Sequence, residues 1–203
     1  MVNGIDVSDF QPNVNWNEVH ESGYSFAYAK ATEGTDFTAQ TFAPNWSGLK
    51  AAGMLRGAYH MFHFDDDPVA QANYFLSVVN PQPGDLPPAL DLELTVPPGV
   101  DPVQAISQWL HVVEARAKVR CVLYMGYYFW QGALGSTTDF SGHPLWLAQY
   151  SGGSAPSLIP SCWTTWTFWQ YTDQDPVSGC GGAVDADKFD GDLDQLKAMC
   201  TPA

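Results

Sequence analysis

Within Pro87-Pro88-Ala89-Leu90-Asp91-Leu92-Glu93-Leu94, two carboxylates stand at i and i+2 in an otherwise apolar run. Alternation along a strand puts such a pair on one face, with Leu90, Leu92 and Leu94 on the other, and strand rise separates the two Cβ atoms by about 6–7 Å. Like charges that close raise the proton affinity of at least one group, which leaves a carboxyl protonated at mild pH and able to donate to a leaving group. The alternative, in which each acid simply pairs with a base, has only eight Lys and Arg to draw on. Asp6 follows Gly4-Ile5 at the end of the first apolar run, and Asp185 follows Gly181-Gly182-Ala183-Val184 at the last. Singly, each suits a turn or a helix cap. In a parallel barrel the C-terminal strand ends share one mouth, and Asp6, Asp91, Glu93 and Asp185 then meet in one pocket.

The elements that must position these acids are legible in the periodicity. Strands are expected at Val2–Val7, Ser25–Ala31, Leu55–Phe62, Pro88–Leu94, Val119–Tyr127, Leu145–Tyr150, Thr165–Tyr171 and Ala183–Asp185. Helices are expected at Trp16–Glu21, Phe42–Ala52, Pro68–Val79, Pro102–Ala117 and Leu193–Met199; in the fourth, Ile106, Leu110 and Val113 form a stripe that buries one face. After Tyr128 the gaps between strands carry Gly, Ser, Pro and Thr instead of periodic apolar residues, so the later strands lack crossover helices. Eight strands with full helices need about 250 residues. The 203 available fit one α/β domain, residues 1–203, built as a barrel with helices trimmed from its second half.

Composition narrows the partners. A formal net charge of −14 disfavours phosphate backbones and anionic membrane surfaces, so neither nucleic acid nor membrane insertion is expected. No run reaches the roughly 18 apolar residues of a membrane span. With 15% charged and 14% aromatic residues, the surface is left to neutral polar and aromatic groups, which suit a neutral ring-shaped ligand such as a sugar. Tyr28, Tyr59, Tyr124, Trp146, Tyr150 and Trp169 fall in or near strand ends, where they either stack on sugar rings or pack the core. Lys30 and Glu33 end the second strand and either contact a sugar and orient an acid or form a surface ion pair.

His60, His63 and Asp65 to Asp67 raise the possibility of a hydrolytic metal, but histidines three apart in a strand face opposite sides, so no metal and no cofactor are expected. The chain contains no Gly-x-Gly-x-x-Gly, Walker loop or Gly-x-Ser-x-Gly elbow. Asn45-Trp46-Ser47 fits a glycosylation acceptor but falls inside an expected helix. Cys121, Cys162, Cys180 and Cys200 lack zinc spacing; paired disulfides in an oxidising compartment are expected, in any of three pairings, with four reduced thiols as the alternative. Met1 to Asp6 carries no basic region followed by an apolar run, so a mature form with an added Met, or export without a signal peptide, is expected.

Seven blocks in order resemble the glycoside hydrolase family 25 lysozymes, the Chalaropsis-type N-acetylmuramidases. They are Gly4-Ile5-Asp6-Val7-Ser8 with Gln11, Tyr28-Ala29-Lys30-Ala31-Thr32-Glu33-Gly34, Arg56-Gly57-Ala58-Tyr59-His60, Ala89-Leu90-Asp91-Leu92-Glu93, Pro144-Leu145-Trp146-Leu147-Ala148 with Tyr150, Phe168-Trp169-Gln170-Tyr171, and Val184-Asp185 with Phe189. The resemblance implies a modified TIM-like (β/α)5(β)3 barrel. It also implies metal-independent, retaining cleavage of the β-1,4 bond between N-acetylmuramic acid and N-acetylglucosamine in bacterial peptidoglycan. It makes Glu93 the general acid/base and Asp91 its partner, as nucleophile or by orienting the substrate's 2-acetamido group, with Asp6 and Asp185 flanking the groove. The sugar contacts would be Lys30, Glu33, Tyr59, Tyr124, Trp146, Tyr150, Trp169 and Gln170, in an extracellular monomer acting on glycan strands. Asp187 and Asp190-Gly191 stand where the family often carries Asn, which predicts extra negative charge near the mouth and blurs the choice between Asp185 and Asp187. A barrel of this kind that binds sugar without cleaving it is the competing expectation.

Overall fold

The computed structural model of the chain describes residues 1–202. In chain order the strands are β1 (Val2–Val7), β2 (Phe26–Glu33), a two-residue appendage β3 (Phe37–Thr38), β4 (Leu55–Met61), β5 (Ala89–Asp91), β6 (Val122–Gly126), β7 (Leu145–Ala148), β8 (Phe168–Asp175) and β9 (Val184–Phe189). Leaving β3 aside, eight strands close a barrel in the order β1, β2, β4, β5, β6, β7, β8, β9 and back to β1. Every pairing from β1 round to β8 is parallel, whereas β9 runs antiparallel to both of its neighbours. The helices are α1 (Trp16–Glu21), α2 (Phe42–Ala51), α3 (Pro68–Val78), α4 (Pro102–Ala117), α5 (Tyr127–Gly132) and α6 (Leu193–Ala198). One helix follows each of β1, β2/β3, β4, β5 and β6, and none separates β7, β8 and β9, which gives the trimmed barrel its uneven halves.

Local chemistry accounts for the helix starts. The side chains of Asp67 and Asp101 accept backbone N–H bonds at the first turns of α3 and α4, each followed by a Pro whose fixed φ suits the first helical position. In α4, Ile106, Trp109, Leu110 and Val113 are buried, and Phe75 of α3 meets Trp109 with ring centroids 5.6 Å apart. Beneath them His60, on the outer face of β4, stacks on Trp109 at 5.7 Å and is bonded to Thr32 and Gln71.

The barrel interior is filled by rings. Tyr28 and Trp146 lie 4.8 Å apart, Phe26 and Phe168 5.4 Å, and Phe168 and Phe189 5.3 Å. Glycines make the space: a Cβ on Gly57 would stand 2.2 Å from the Tyr28 ring and one on Gly4 2.3 Å from the Phe26 ring. These aromatics form a solid floor, so a ligand can enter only at the end where β1, β2 and β4 to β8 terminate.

Several expectations are corrected. β5 ends at Asp91, so Glu93 lies two residues beyond the strand and not within it. The last strand is antiparallel and extends to Phe189, so Asp185 sits at its start; reversal of direction, and not parallel closure, returns it to the mouth. A short helix, α5, follows β6 where none was expected. The four cysteines are free thiols, distributed between the start of β6, the β7–β8 and β8–β9 connections, and the turn after α6. Asn45 is buried in α2, where no glycan could be attached without unfolding the helix. Among the described residues no helix is long and apolar enough to cross a membrane.

Candidate active site

Seven strands deliver their C-terminal ends, and β9 its N-terminal end, to a pocket of about 410 Å³. Asp6 ends β1, Lys30 lies in β2, Tyr59 and Met61 in β4, Asp91 ends β5, and Glu93 follows it. Tyr124 of β6, Trp146 of β7 with Tyr150 beyond it, Gln170 and Asp173 of β8 and Asp185 of β9 complete the circle. A larger surface groove of about 820 Å³ lies outside the barrel along α1 and α2, but Glu18 is its sole ionisable lining residue, so the concentration of chemistry is at the mouth.

Ten of the twelve expected site residues line this pocket, among them all four expected acids; Glu33 and Trp169 do not. Trp169 precedes the inward-facing Gln170 and therefore points outward, where its Nε1 donates to the Gln149 carbonyl and its ring packs against Trp166. Glu33 stands one contact behind Lys30, accepting from its Nζ at 2.7 Å and meeting His63 Nε2 at 2.8 Å. His63 and His60 are thus committed to separate partners on opposite faces, and Asp67 caps α3. Sequence reasoning did not assign Ser8, Phe10, Gln11, Met61 and Asp173 to the site. Met61 was recoverable as the residue two beyond Tyr59 on the same strand face. Asp173 was hidden by an irregularity in β8 that shifts the alternation after Gln170. Phe10, 91% exposed at the rim, carries no periodic signal at all.

Gln170 organises the mouth. Its Oε1 accepts from the hydroxyls of Tyr124 at 2.9 Å and Tyr150 at 2.8 Å, which fixes the amide so that Nε2 donates to Asp6 Oδ2 at 2.7 Å. Five carboxyls, those of Asp6, Asp91, Glu93, Asp173 and Asp185, line the pocket with one ammonium, Lys30. Burial pushes Asp91 well above the ordinary carboxylate range, and Glu93 and Asp6 add to the effect; its Oδ1 is buried without a hydrogen-bond partner. Asp6 is raised by burial and by Asp185, against the bond from Gln170. Asp185 is pushed up to about 6 by burial, Asp173 and Glu93. Glu93 has substantial exposed surface, yet enough protein surrounds its carboxyl that desolvation still raises its proton affinity, with Lys30 pulling the other way. Glu33 is held below its usual range: burial alone would raise it, but the bonds from Lys30 and His63 outweigh that. Asp187, expected to bring charge to the mouth, is completely buried deeper in the barrel, and Asp190 is exposed and accepts from Thr165, three residues before β8 begins.

A barrel whose mouth raises the proton affinity of neighbouring carboxyls, rimmed by tyrosines and an exposed phenylalanine, has the features of the glycosidase class: one carboxyl to protonate a leaving oxygen and a second for the reacting centre. Comparison with known proteins makes this particular. The pattern of glycosyl hydrolases family 25 matches residues 5–180, and the chain belongs to that family. It is 38% identical to lysozyme M1 of Streptomyces globisporus over 98% of this chain and 71% of that protein. It is 32% identical to the N,O-diacetylmuramidase of Chalaropsis sp over 98% of this chain and 99% of that one. The crystal structure of the bacterial lysozyme from Streptomyces coelicolor superposes with a TM-score of 0.91 at 37% identity, covering 98% of this chain and 97% of that one.

Proposed function

We propose that this chain is an N-acetylmuramidase that hydrolyses the β-1,4 bond between N-acetylmuramic acid and N-acetylglucosamine in bacterial peptidoglycan, with retention and without a metal ion. The observation that carries the reading is the pairing of Asp91, buried with an unpartnered oxygen, and Glu93, open to the groove, at the end of one strand in a family 25 barrel. Glu93 is the residue placed to give its proton to the glycosidic oxygen as the C1–O bond breaks. The acetamido carbonyl oxygen of the substrate attacks C1 in the same step, and Asp91, as carboxylate, accepts that group's N–H and holds it in line. Water then attacks C1, surrenders a proton to the Glu93 carboxylate and reopens the ring, so that two inversions give net retention. Asp6 adds to the proton affinity of Asp91, and Asp185 lines the groove with it. Tyr59, Tyr124, Tyr150 and Phe10 offer faces and hydroxyls to the sugar, with Trp146 beneath them. The enzyme would act as an extracellular monomer, since one chain supplies the whole mouth and its substrate lies in cell walls, where it would lyse bacteria or remodel the wall.

The test is digestion of purified peptidoglycan in the presence of a chelator, with mass-spectrometric identification of the new reducing end, comparing the wild type with Glu93→Gln. Muramic acid at that end, with turnover reduced by at least about 10²-fold in the variant, is expected from loss of a general acid. A wall that binds the wild-type protein but stays intact would establish the sugar-binding alternative, and an active Glu93→Gln would move the acid to another residue.

A further inference from the structure

One carboxyl inside the barrel is used by none of these steps. Asp187 is 0% exposed and sits on β9 opposite Gly4 of β1 and Gln170 of β8, two residues deeper than Asp185 on the same strand face. Its Oδ1 accepts from Trp146 Nε1 at 2.8 Å and its Oδ2 has no donor among the described residues; the register, with Asp185 opposite Asp6 and Gln170 opposite Asp187, sets its carboxyl beside that of Asp6, to which Gln170 donates. The groups that face it are Asp6 from β1, Tyr28 from β2, Trp146 from β7, Gln170 from β8 and Asp185 along β9. None is a cation. Lys188, next in sequence, lies on the outer face over the rings of Trp169 and Tyr171. Two neighbouring carboxyls, one fully buried and the other nearly so, with no cation facing Asp187, are not both ionised; the pair retains a proton, and the Asp187 oxygen lacking a donor is where that proton resides.

We propose that Asp187 is a proton-bearing positioning residue, whose carboxylic acid donates to Asp6 and fixes that group as a single, oriented carboxylate beside Gln170 and beneath the sugar. Asp6 is one of the charges that raise the proton affinity of Asp91, so the orientation and charge of Asp6 reach the reacting pair. The direction of the shifts agrees: burial, then Asp6, pushes Asp187 well above the carboxylate range, while the contact with Asp187 works to lower Asp6. The shared proton also sets an upper limit in pH. When it leaves, two adjacent anions repel, Asp6 is displaced, and catalysis falls with no change at Glu93. The inference rests on the muramidase reading for its effect on turnover, but not for the proton itself.

Two variants separate position from charge. Asp187→Asn keeps the volume, a donor toward Asp6 and an acceptor for Trp146, but cannot titrate; Asp187→Leu removes the donor. Loss of a hydrogen bond to a charged group predicts a kcat reduced by roughly 10- to 100-fold in Asp187→Leu with KM little changed, and Asp187→Asn should recover at least about tenfold of that loss. The alkaline limb of kcat in Asp187→Asn should move upward by about one pH unit or more, because the titrating partner is gone. In the ligand-free protein near neutrality, the infrared C=O stretch of a protonated carboxyl should be present in the wild type and lose one component in Asp187→Asn. The proposal is overturned if the wild type shows no protonated-carboxyl band, or if Asp187→Asn leaves both the band and the alkaline limb unchanged. A band that behaves as expected in a wild type inert toward peptidoglycan would instead overturn the muramidase reading, and with it the catalytic role of this proton.

Discussion

Gln170→Met removes the three hydrogen bonds at the centre of the mouth while keeping the length and volume of the side chain. The three are unequal. Asp6 is 5% exposed, so its carboxyl loses a donor that water cannot easily replace, and a hydrogen bond to a charged group contributes about 1.5–3 kcal/mol. Tyr150 is 55% exposed, so its hydroxyl is rehydrated and its share is at most about 0.5 kcal/mol; the half-buried Tyr124 falls between, near 1 kcal/mol. The expected destabilisation is therefore about 2.5–4.5 kcal/mol, most of it through Asp6. Urea unfolding near neutrality, with m-values compared, measures it. A second comparison tests the geometry: Tyr150→Phe should cost a few tenths of a kcal/mol in the wild type and nothing in Gln170→Met, because its partner is already gone. A change below about 0.5 kcal/mol in Gln170→Met, or an equal cost for Tyr150→Phe in both backgrounds, would refute the view that this amide ties the mouth together.

Two further predictions concern the scaffold. Gly57→Ala drives a Cβ into the fully buried Tyr28 ring, which is held by its hydroxyl bond to the Pro87 carbonyl and by packing on Trp146; overpacking here should cost about 1–3 kcal/mol in urea unfolding, and Tyr28→Leu in the same chain should recover part of it, failing which the steric account is wrong. His60 is pushed down to about 4, chiefly by burial, so the folded protein binds its proton later than the unfolded chain does: the contribution is fully present above about 6.5 and is lost as pH falls from there toward 4, by at most about 3 kcal/mol. The raised carboxyls at the mouth act with the opposite sign, since they lose stability as pH rises past their unfolded values. The effect is therefore read as the wild type minus His60→Asn difference in stability between pH 4 and 6.5, and a difference that does not vary with pH in that window would count against it.

Much of the scaffold was legible because it obeys simple periods. The capping Asp67 and Asp101 with their prolines, and the Ile106, Leu110 and Val113 stripe, placed α3 and α4 to within a residue, and the apolar runs placed all eight barrel strands. Strand direction was not legible. Nothing in Ala183-Val184-Asp185 says which way it runs, and the missing helix before it is no guide, since β7 and β8 also lack one and run parallel. The site was legible as a set of residue types, less so in its orientation. Trp169 and Gln170 are adjacent and cannot face the same side of one strand, a conflict that alternation alone resolves in favour of one of them. Burial decided the rest: Asp185 and Asp187 both face inward, and only depth in the barrel separates a pocket-lining acid from a completely buried one.

The proposed mechanism requires so acidic a protein to keep a proton-donating carboxyl at its mouth. Five carboxyls line the pocket against one ammonium, and the ammonium is partly spent on Glu33, which is itself held by His63. Were Lys30 free to face Asp91 and Glu93 alone, it would pull both further toward ionisation against the burial that raises them. Tied to Glu33, it stays close enough to pull on Asp91 and Glu93 but too far compensated to empty them. Lys30 thus limits the upward shift without cancelling it, and Glu33, although outside the pocket, is the group that sets how much of the Lys30 charge Asp91 and Glu93 feel. Removing that tether with Glu33→Gln should leave the groove's shape intact and lower the proton affinity of Glu93, moving the alkaline limb of hydrolysis downward by a few tenths to one pH unit. An alkaline limb that stays in place would mean that burial by itself holds the proton on Glu93.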